Sequence, residues 1–216
     1  MSLTIHGIVA SRAIRPLWAA AELGIAYEHV PTPFEGGATR TPAFLALNPN
    51  GHIPVVIDRR PEGEVVVWES MACALYIARH HGRADGTSIT PATPREDAEA
   101  LRWSFWAANE VEADALTVLM HRMAMPEARR RPELADAAEK RLAVPLGVIE
   151  SHLAAQQAAG HAHLAAARFT VADLCTAAVL NWARPAARLM AAHPLTHDWI
   201  RRCMERPAYT GLRRPG

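Results

Sequence analysis

The sequence predicts an α+β protein: a mixed unit of order βαβαββα over residues 1–82, a linker at 83–94, and an all-helical unit over residues 95–216. Two observations carry this. Before Gly82, short apolar runs alternate with stretches of helical periodicity. The segment RADGTSITPATPRE is then rich in Pro, Thr, Gly and charge, as interdomain linkers are, and the apolar spacing beyond it is helical throughout.

Leu3, Ile5 and then Ile8-Val9 read as a short strand that stops at Ser11. Ile14, Leu17, Trp18 and Ala21 recur at helical spacing up to Gly24, a residue suited to a helix C-cap. Ile25 to Val30 reads as a second strand closed by Pro31 and Pro33, and Pro42 to Leu47 as a short helix. NPNGHIPVVID supplies turn residues, a proline and a strand at Val55-Val56-Ile57, and PEG at 61–63 turns it into a return strand at Val65-Val66-Val67. The next helix starts at Glu69 or Ser70, with Met71, Ala74, Leu75 and Ala78 as its buried stripe, and breaks at Gly82. In the second half, Leu101, Phe105 and Ala108 mark one long helix. Leu142, Leu146, Ile149 and Leu153 mark another, with Pro145 inside it as a kink site. Thr170 and Asp173 have capping-box spacing at the start of a further helix, and Arg206-Pro207 closes the last one.

A chain of 216 residues, 50% hydrophobic and 21% charged, can bury a sizeable core. Its formal charge of +1 gives no reason to expect a nucleic acid or a membrane surface as partner. The N-terminal residues lack the pattern of a signal peptide, no apolar run is of spanning length, and a cytoplasmic protein is expected. Cys73, Cys175 and Cys203 are odd in number and far apart, which fits a reducing compartment better than a disulfide framework. His80-His81 and the His161/His163 pair lack the companion ligands of a zinc site, so no metal is expected. GxGxxG, Walker and GxSxG patterns are missing as well, which leaves nucleotide and serine-hydrolase chemistry without support.

Several pieces, in order, resemble the glutathione transferase superfamily across essentially the whole chain: SRAIRPLWAAAELGIAYE, NPNGHIPVV, WESMACALYIA, FTVADL and HPLTHDWIRRCMERPAY. The resemblance implies a thioredoxin-like domain followed by an all-α domain, and a homodimer. Its substrates would be glutathione, as cosubstrate without further cofactor, and a small hydrophobic electrophile. An isomerase, dehalogenase or disulfide reductase of the same fold, or a binding protein without turnover, are the alternatives. The lack of a cysteine near Ser11 counts against the reductase.

Glutathione carries two carboxylates, an ammonium group and a thiol. Ile53, held extended by Pro54, can offer its backbone N–H and C=O to the cysteinyl unit as an added strand would. The resemblance makes the Ile53-Pro54 bond cis, gives the γ-glutamyl carboxylate to Ser70 and the ammonium to Glu69, and puts a basic residue near the glycyl carboxylate. Many members have lysine there and this chain has His52. Histidine is charged only part of the time near pH 7, so weaker binding with a steeper pH dependence is expected. A free thiol of pKa about 8.5 is mostly protonated at neutral pH, and a two-unit shift takes roughly 2.7 kcal/mol of anion stabilisation. Ser11, with Arg12 or Arg15 and a helix start nearby, is the catalytic candidate; it also reads as a plain N-cap, and the two arginines as a solvated helix face. In other classes a tyrosine does this work, at a position that falls here close to His6. The electrophile would bind between the domains, against Phe105, Asn109 and Glu112, although Phe105 also reads as core. Trp103, Trp106 and Trp199 read as core.

Overall fold

The computed structural model describes residues 2–213; the ends of the first and last predicted segments, at 1 and 214–216, lie outside them. The first unit contains β1 (Ser2–His6), α1 (Ile14–Leu23), β2 (Glu28–Val30), α2 (Pro42–Leu47), β3 (Val55–Arg60), β4 (Gly63–Trp68) and α3 (Ser70–His81). The four strands lie in the order β2-β1-β3-β4, with β2 parallel to β1 and β3 antiparallel to both its neighbours. The fold is thus α+β, a mixed-sheet unit followed by a mostly helical one.

Leu3, Thr4 and Ile5 are all buried, so β1 is covered on both faces, as an inner strand of a sheet sandwiched by helices must be. It ends earlier than expected. Gly7 turns the chain at φ 136°, and Ile8-Val9 go into the turn before α1, not into the strand. β2 is shorter than Ile25–Val30 for a related reason: Gly24 adopts a left-handed C-cap, and the Ile25 N–H returns to the Ala20 carbonyl (3.3 Å), closing α1. On α3 the buried residues are Ser70, Cys73, Ala74, Ile77 and Ala78; Met71 and Leu75 of the expected stripe are only half-buried.

The second unit contains α4 (Pro94–Trp106), α5 (Glu112–Leu119), α6 (Pro132–Ala158), α7 (Val171–Leu180), α8 (Ala187–Ala192) and α9 (Pro194–Met204). Two π-helical turns, Ala107–Val111 and Met120–Ala124, flank α5. α7 is buried on every side, and Leu142, Leu146, Ile149 and Leu153 of α6 face the core as their spacing predicts. α6 runs through Pro145 as one helix. On α4 the outcome is reversed: Leu101, Phe105 and Ala108 are exposed, while Ala100, Trp103, Ser104 and Ala107 are buried. α4 packs on α7, and the Thr176 hydroxyl of α7 donates to the Trp103 carbonyl (3.5 Å) on this buried face. Trp103 and Trp199 are core; Trp106 is half-buried.

The capping box at Thr170 and Asp173 is present, and Asp173 also accepts from Leu164 N (2.9 Å) and Trp199 Nε1 (3.1 Å). Pro207 does not close the last helix but opens another, α10 (Pro207–Leu212). By contacts the chain divides into Met1–Ala92 with Pro207–Gly216, and Thr93–Arg206. Thr93 caps α4, accepting from Glu96 N (3.2 Å), while Thr90 Oγ1 donates to the Ala78 carbonyl (2.7 Å) and keeps the preceding segment with the first unit.

Candidate functional site

Three segments converge at one end of the sheet in the first unit. The pairing of β3 with β4 begins at Val55↔Trp68, so Pro54 and Glu69 are the residues next to the open end of this ladder. The Ile53-Pro54 bond is cis. Ile53 precedes the first residue of β3 paired with β1, so its backbone edge lies beyond the ladder. Gly7 joins this segment to the start of α1: a Cβ there would stand 2.5 Å from Ala13 Cβ and 3.4 Å from Ile53 Cβ. Its N–H donates to Val30 O (3.0 Å) and its carbonyl accepts from His29 Nε2 (2.8 Å).

The loop before Ile53 is built on Asn48, which is 2% exposed. Asn48 Oδ1 accepts from Asn50 N (3.1 Å), its Nδ2 donates to His52 O (2.7 Å), and its own carbonyl accepts from Gly51 N (2.9 Å). His52 is exposed. Arg40 Nη1 donates to Asn50 O in this loop (3.2 Å), and the Thr39 carbonyl together with Arg40 leaves no room for a side chain at Gly51. Neither Asn48 nor Arg40 was singled out from sequence; the NPNG turn signal marks the first, and nothing local marks the second.

Ser70 opens α3, buried, and its Oγ accepts from Arg15 Nη1 at 2.6 Å. Arg15 is 2% exposed, which corrects the solvated-face alternative and also moves this arginine from the neighbourhood of Ser11 to that of Ser70. A buried guanidinium and the free N–H groups of a helix start, side by side, favour an anion. Glu69 is exposed, and its backbone sits at φ 70°, ψ 117°. It occupies the cap position without a side-chain cap bond.

Ser11 is half-buried in the turn before α1. Its Oγ donates to Ile8 O (2.7 Å) and accepts from Ala13 N (3.1 Å). Ala13, directly before α1, has helical φ and ψ and makes no side-chain cap bond, so the bond from its N–H to Ser11 Oγ is the capping interaction of this turn. Arg12 is exposed. His6 Nδ1 lies 3.3 Å from Thr32 Oγ1 and its ring meets Phe44 edge-on; burial lowers its pKa, Glu28 opposes this and Arg59 adds to it. All three cysteines are buried and none is in a disulfide, and burial pushes the Cys73 thiol far up.

In the second unit, Phe105 is 64% exposed, which removes the core alternative. Asn109 is exposed within the first π-helical turn and Glu112 is half-buried where α5 begins. The π turn, closed by Glu112 N to Ala107 O, rotates the face on which these three were expected to align. Among the described residues no group of three or more His, Cys, Asp or Glu is placed to hold a metal, and no helix is long and apolar enough to cross a membrane.

The sheet order, the cis Ile53-Pro54 bond and the anion-favouring start of α3 together define a thioredoxin-like domain. Residues 1–79 match the family model of the glutathione S-transferase N-terminal domain and residues 110–207 that of its C-terminal domain. Glutathione S-transferase 3 of Zea mays is 33% identical, over 96% of this chain and 91% of its own. A glutathione S-transferase-I structure bound with lactoylglutathione matches at a TM-score of 0.80 and 25% identity, covering 98% of each chain. A probable elongation factor 1-gamma 1 of Arabidopsis thaliana is 31% identical over 84% of this chain but only 41% of its own. The chain belongs to the glutathione S-transferase family.

Proposed function

We propose that this chain is a glutathione transferase that binds glutathione in its first unit, favours the thiolate, and directs sulfur to a small hydrophobic electrophile. The observation that carries this reading is the buried Arg15–Ser70 pair at the start of α3, opposite the Ile53-Pro54 edge. In this reading Ser70, its N–H and Arg15 take the γ-glutamyl carboxylate, Glu69 the ammonium, Ile53 the cysteinyl backbone, and His52 with Arg40 the glycyl carboxylate. Ser11 Oγ holds one proton, now given to Ile8 O. It turns that proton to the sulfur when glutathione binds, exchanging one hydrogen bond for a charge-assisted one. Arg12 adds positive charge nearby. Phe105, Asn109 and Glu112 meet the electrophile, no further cofactor takes part, and the protein works as a homodimer.

Titration of glutathione followed by thiolate absorbance, with turnover of 1-chloro-2,4-dinitrobenzene, tests this. Binding with a bound-thiol pKa well below about 8.5 is expected, and Ser11→Ala should raise that pKa with little change in affinity. Phe105→Ala should raise KM for the electrophile and not for glutathione. Glutathione that binds without thiolate formation or turnover would favour a binding module, the reading that the Ser11 to Ile8 bond supports. No binding at all sinks both.

A further inference from the structure

At the end of the sheet away from the candidate site, three donors converge on one buried carboxylate oxygen. Asp58, in β3, is 0% exposed. Its Oδ2 accepts from Arg60 Nε (2.6 Å), Tyr76 OH (2.8 Å) and His81 Nε2 (2.8 Å), while Oδ1 has no partner. Two of these donors belong to α3. Arg60 also donates to the His80 carbonyl (3.2 Å), so the last turn of α3 is tied to β3 by backbone as well as side chains. Burial alone would raise the Asp58 carboxyl, but the bonds from Arg60, Tyr76 and His81 outweigh it and hold it below its ordinary value.

At its other end α3 joins β4 through Glu69, the one described non-glycine residue with positive φ (70°). Such a conformation is strained and persists only where the surroundings over-determine it. α3 has 12 residues, about 18 Å of stiff rod at 1.5 Å per residue. Its first turn is held by Arg15 to Ser70, and a little further on by Cys73 Sγ to Val67 O (3.3 Å). These bonds restrain the rod near the joint and have little leverage over its tilt. The leverage comes from further along the helix, from the Thr90 hydroxyl on the Ala78 carbonyl and from the grip of Asp58 on Tyr76 and His81.

We propose that Asp58 is a positioning residue for the candidate site: by gripping α3 at Tyr76 and His81 it fixes the tilt of the helix and keeps Glu69 in its left-handed conformation. The site consequence rests on the glutathione-binding reading above. Without the grip, α3 pivots at Glu69, and the Ser70 N–H and Glu69 carboxylate drift from the Ile53 edge. Asp58 would then contribute to affinity without touching the ligand.

The test uses the full chain with Asp58→Asn, and Tyr76→Phe as a milder variant that keeps the carboxylate and its other donors. Amide hydrogen exchange reads the geometry without any ligand. Exchange over residues 70–75 is expected to speed up severalfold in both variants, with residues 14–23 of α1 unchanged. Calorimetry with S-hexylglutathione, well below the melting temperature, reads the site. Its Kd should rise about tenfold in Asp58→Asn and less in Tyr76→Phe, while kcat at saturating glutathione and the bound-thiol pKa stay near wild type. Adding Tyr76→Phe to Asp58→Asn should add little. Unchanged exchange at 70–75 in folded variants overturns the proposal, as does changed exchange with an unchanged Kd. If the wild type binds no S-hexylglutathione, the glutathione reading fails, and exchange still decides whether Asp58 sets α3.

Discussion

At Gly7, backbone conformation and space both exclude a side chain. Its φ of 136° is a region that residues with a Cβ rarely adopt, and a Cβ there would overlap that of Ala13. The overlap is with a short side chain on a buried segment, which cannot rotate away. Gly7→Ala should therefore cost at least about 2 kcal/mol of stability by urea unfolding. It should also weaken glutathione binding in whatever folds, because Ile53 touches the same point. A loss under 1 kcal/mol would show that the 7–13 segment can give. Ser104 offers the opposite case. Its Oγ is buried in α4 with no hydrogen-bond partner, so Ser104→Ala removes an unsatisfied group and keeps a small side chain at a buried position. Neutral behaviour, or a gain of up to about 1 kcal/mol, is expected in the same assay; clear destabilisation would mean the hydroxyl is bound to something in solution.

Among whole elements, α9 depends on a residue of α6. Glu150 accepts from Leu195 N (2.9 Å), Thr196 N (2.8 Å) and Thr196 Oγ1 (2.7 Å), so a distant carboxylate satisfies the first amides of α9. Burial would raise its pKa, but the Thr196 hydroxyl, the two amides and His193 prevail and lower it from the ordinary 4.5. The native state then binds fewer protons than the unfolded chain. This contribution is complete above the ordinary value and is lost as pH falls through the lowered one. Glu150→Gln should cost about 1–2 kcal/mol at pH 7 and flatten the fall in stability below pH about 4.5, leaving the part due to Asp58. An unchanged acid limb would remove Glu150 from the clasp. Elements were legible in sequence where the controlling contacts are local. The spacing of Leu142, Leu146, Ile149 and Leu153, the Thr170–Asp173 box and the 61–63 turn all have nearby partners. The exposure of Leu101 and Phe105 was not legible, because α7, some 70 residues away, decides which face of α4 is covered. The site divides in the same way. Ile53-Pro54 and Glu69-Ser70 carry their signals in adjacent residues, whereas the burial of Arg15 depends on Ser70, 55 positions later.

For the molecule as a whole, the first unit is discontinuous in sequence. After α9 the chain returns to it as α10, where Tyr209 lies against Trp18 with ring centroids 4.8 Å apart. Trp18 is 0% exposed and belongs to α1, the helix whose start carries Ser11, Arg12 and Arg15. The core that supports the candidate site therefore closes only when the last helix is in place, and an N-terminal piece that ends at Gly82 lacks part of its own cover. A chain shortened to residues 1–206 should lose about 2 kcal/mol or more from the first unit, from the aromatic contact and the uncovered tryptophan. Hydrogen exchange can separate the units in one experiment: α1 should lose protection, while α6 and α7, which have no part in that contact, keep theirs. Glutathione affinity should fall with α1 protection, since Arg15 is anchored there. Equal loss of protection in α6 and α7 would mean that α10 supports the whole chain, and unaltered protection in α1 would mean that the Trp18–Tyr209 contact contributes little to the first unit.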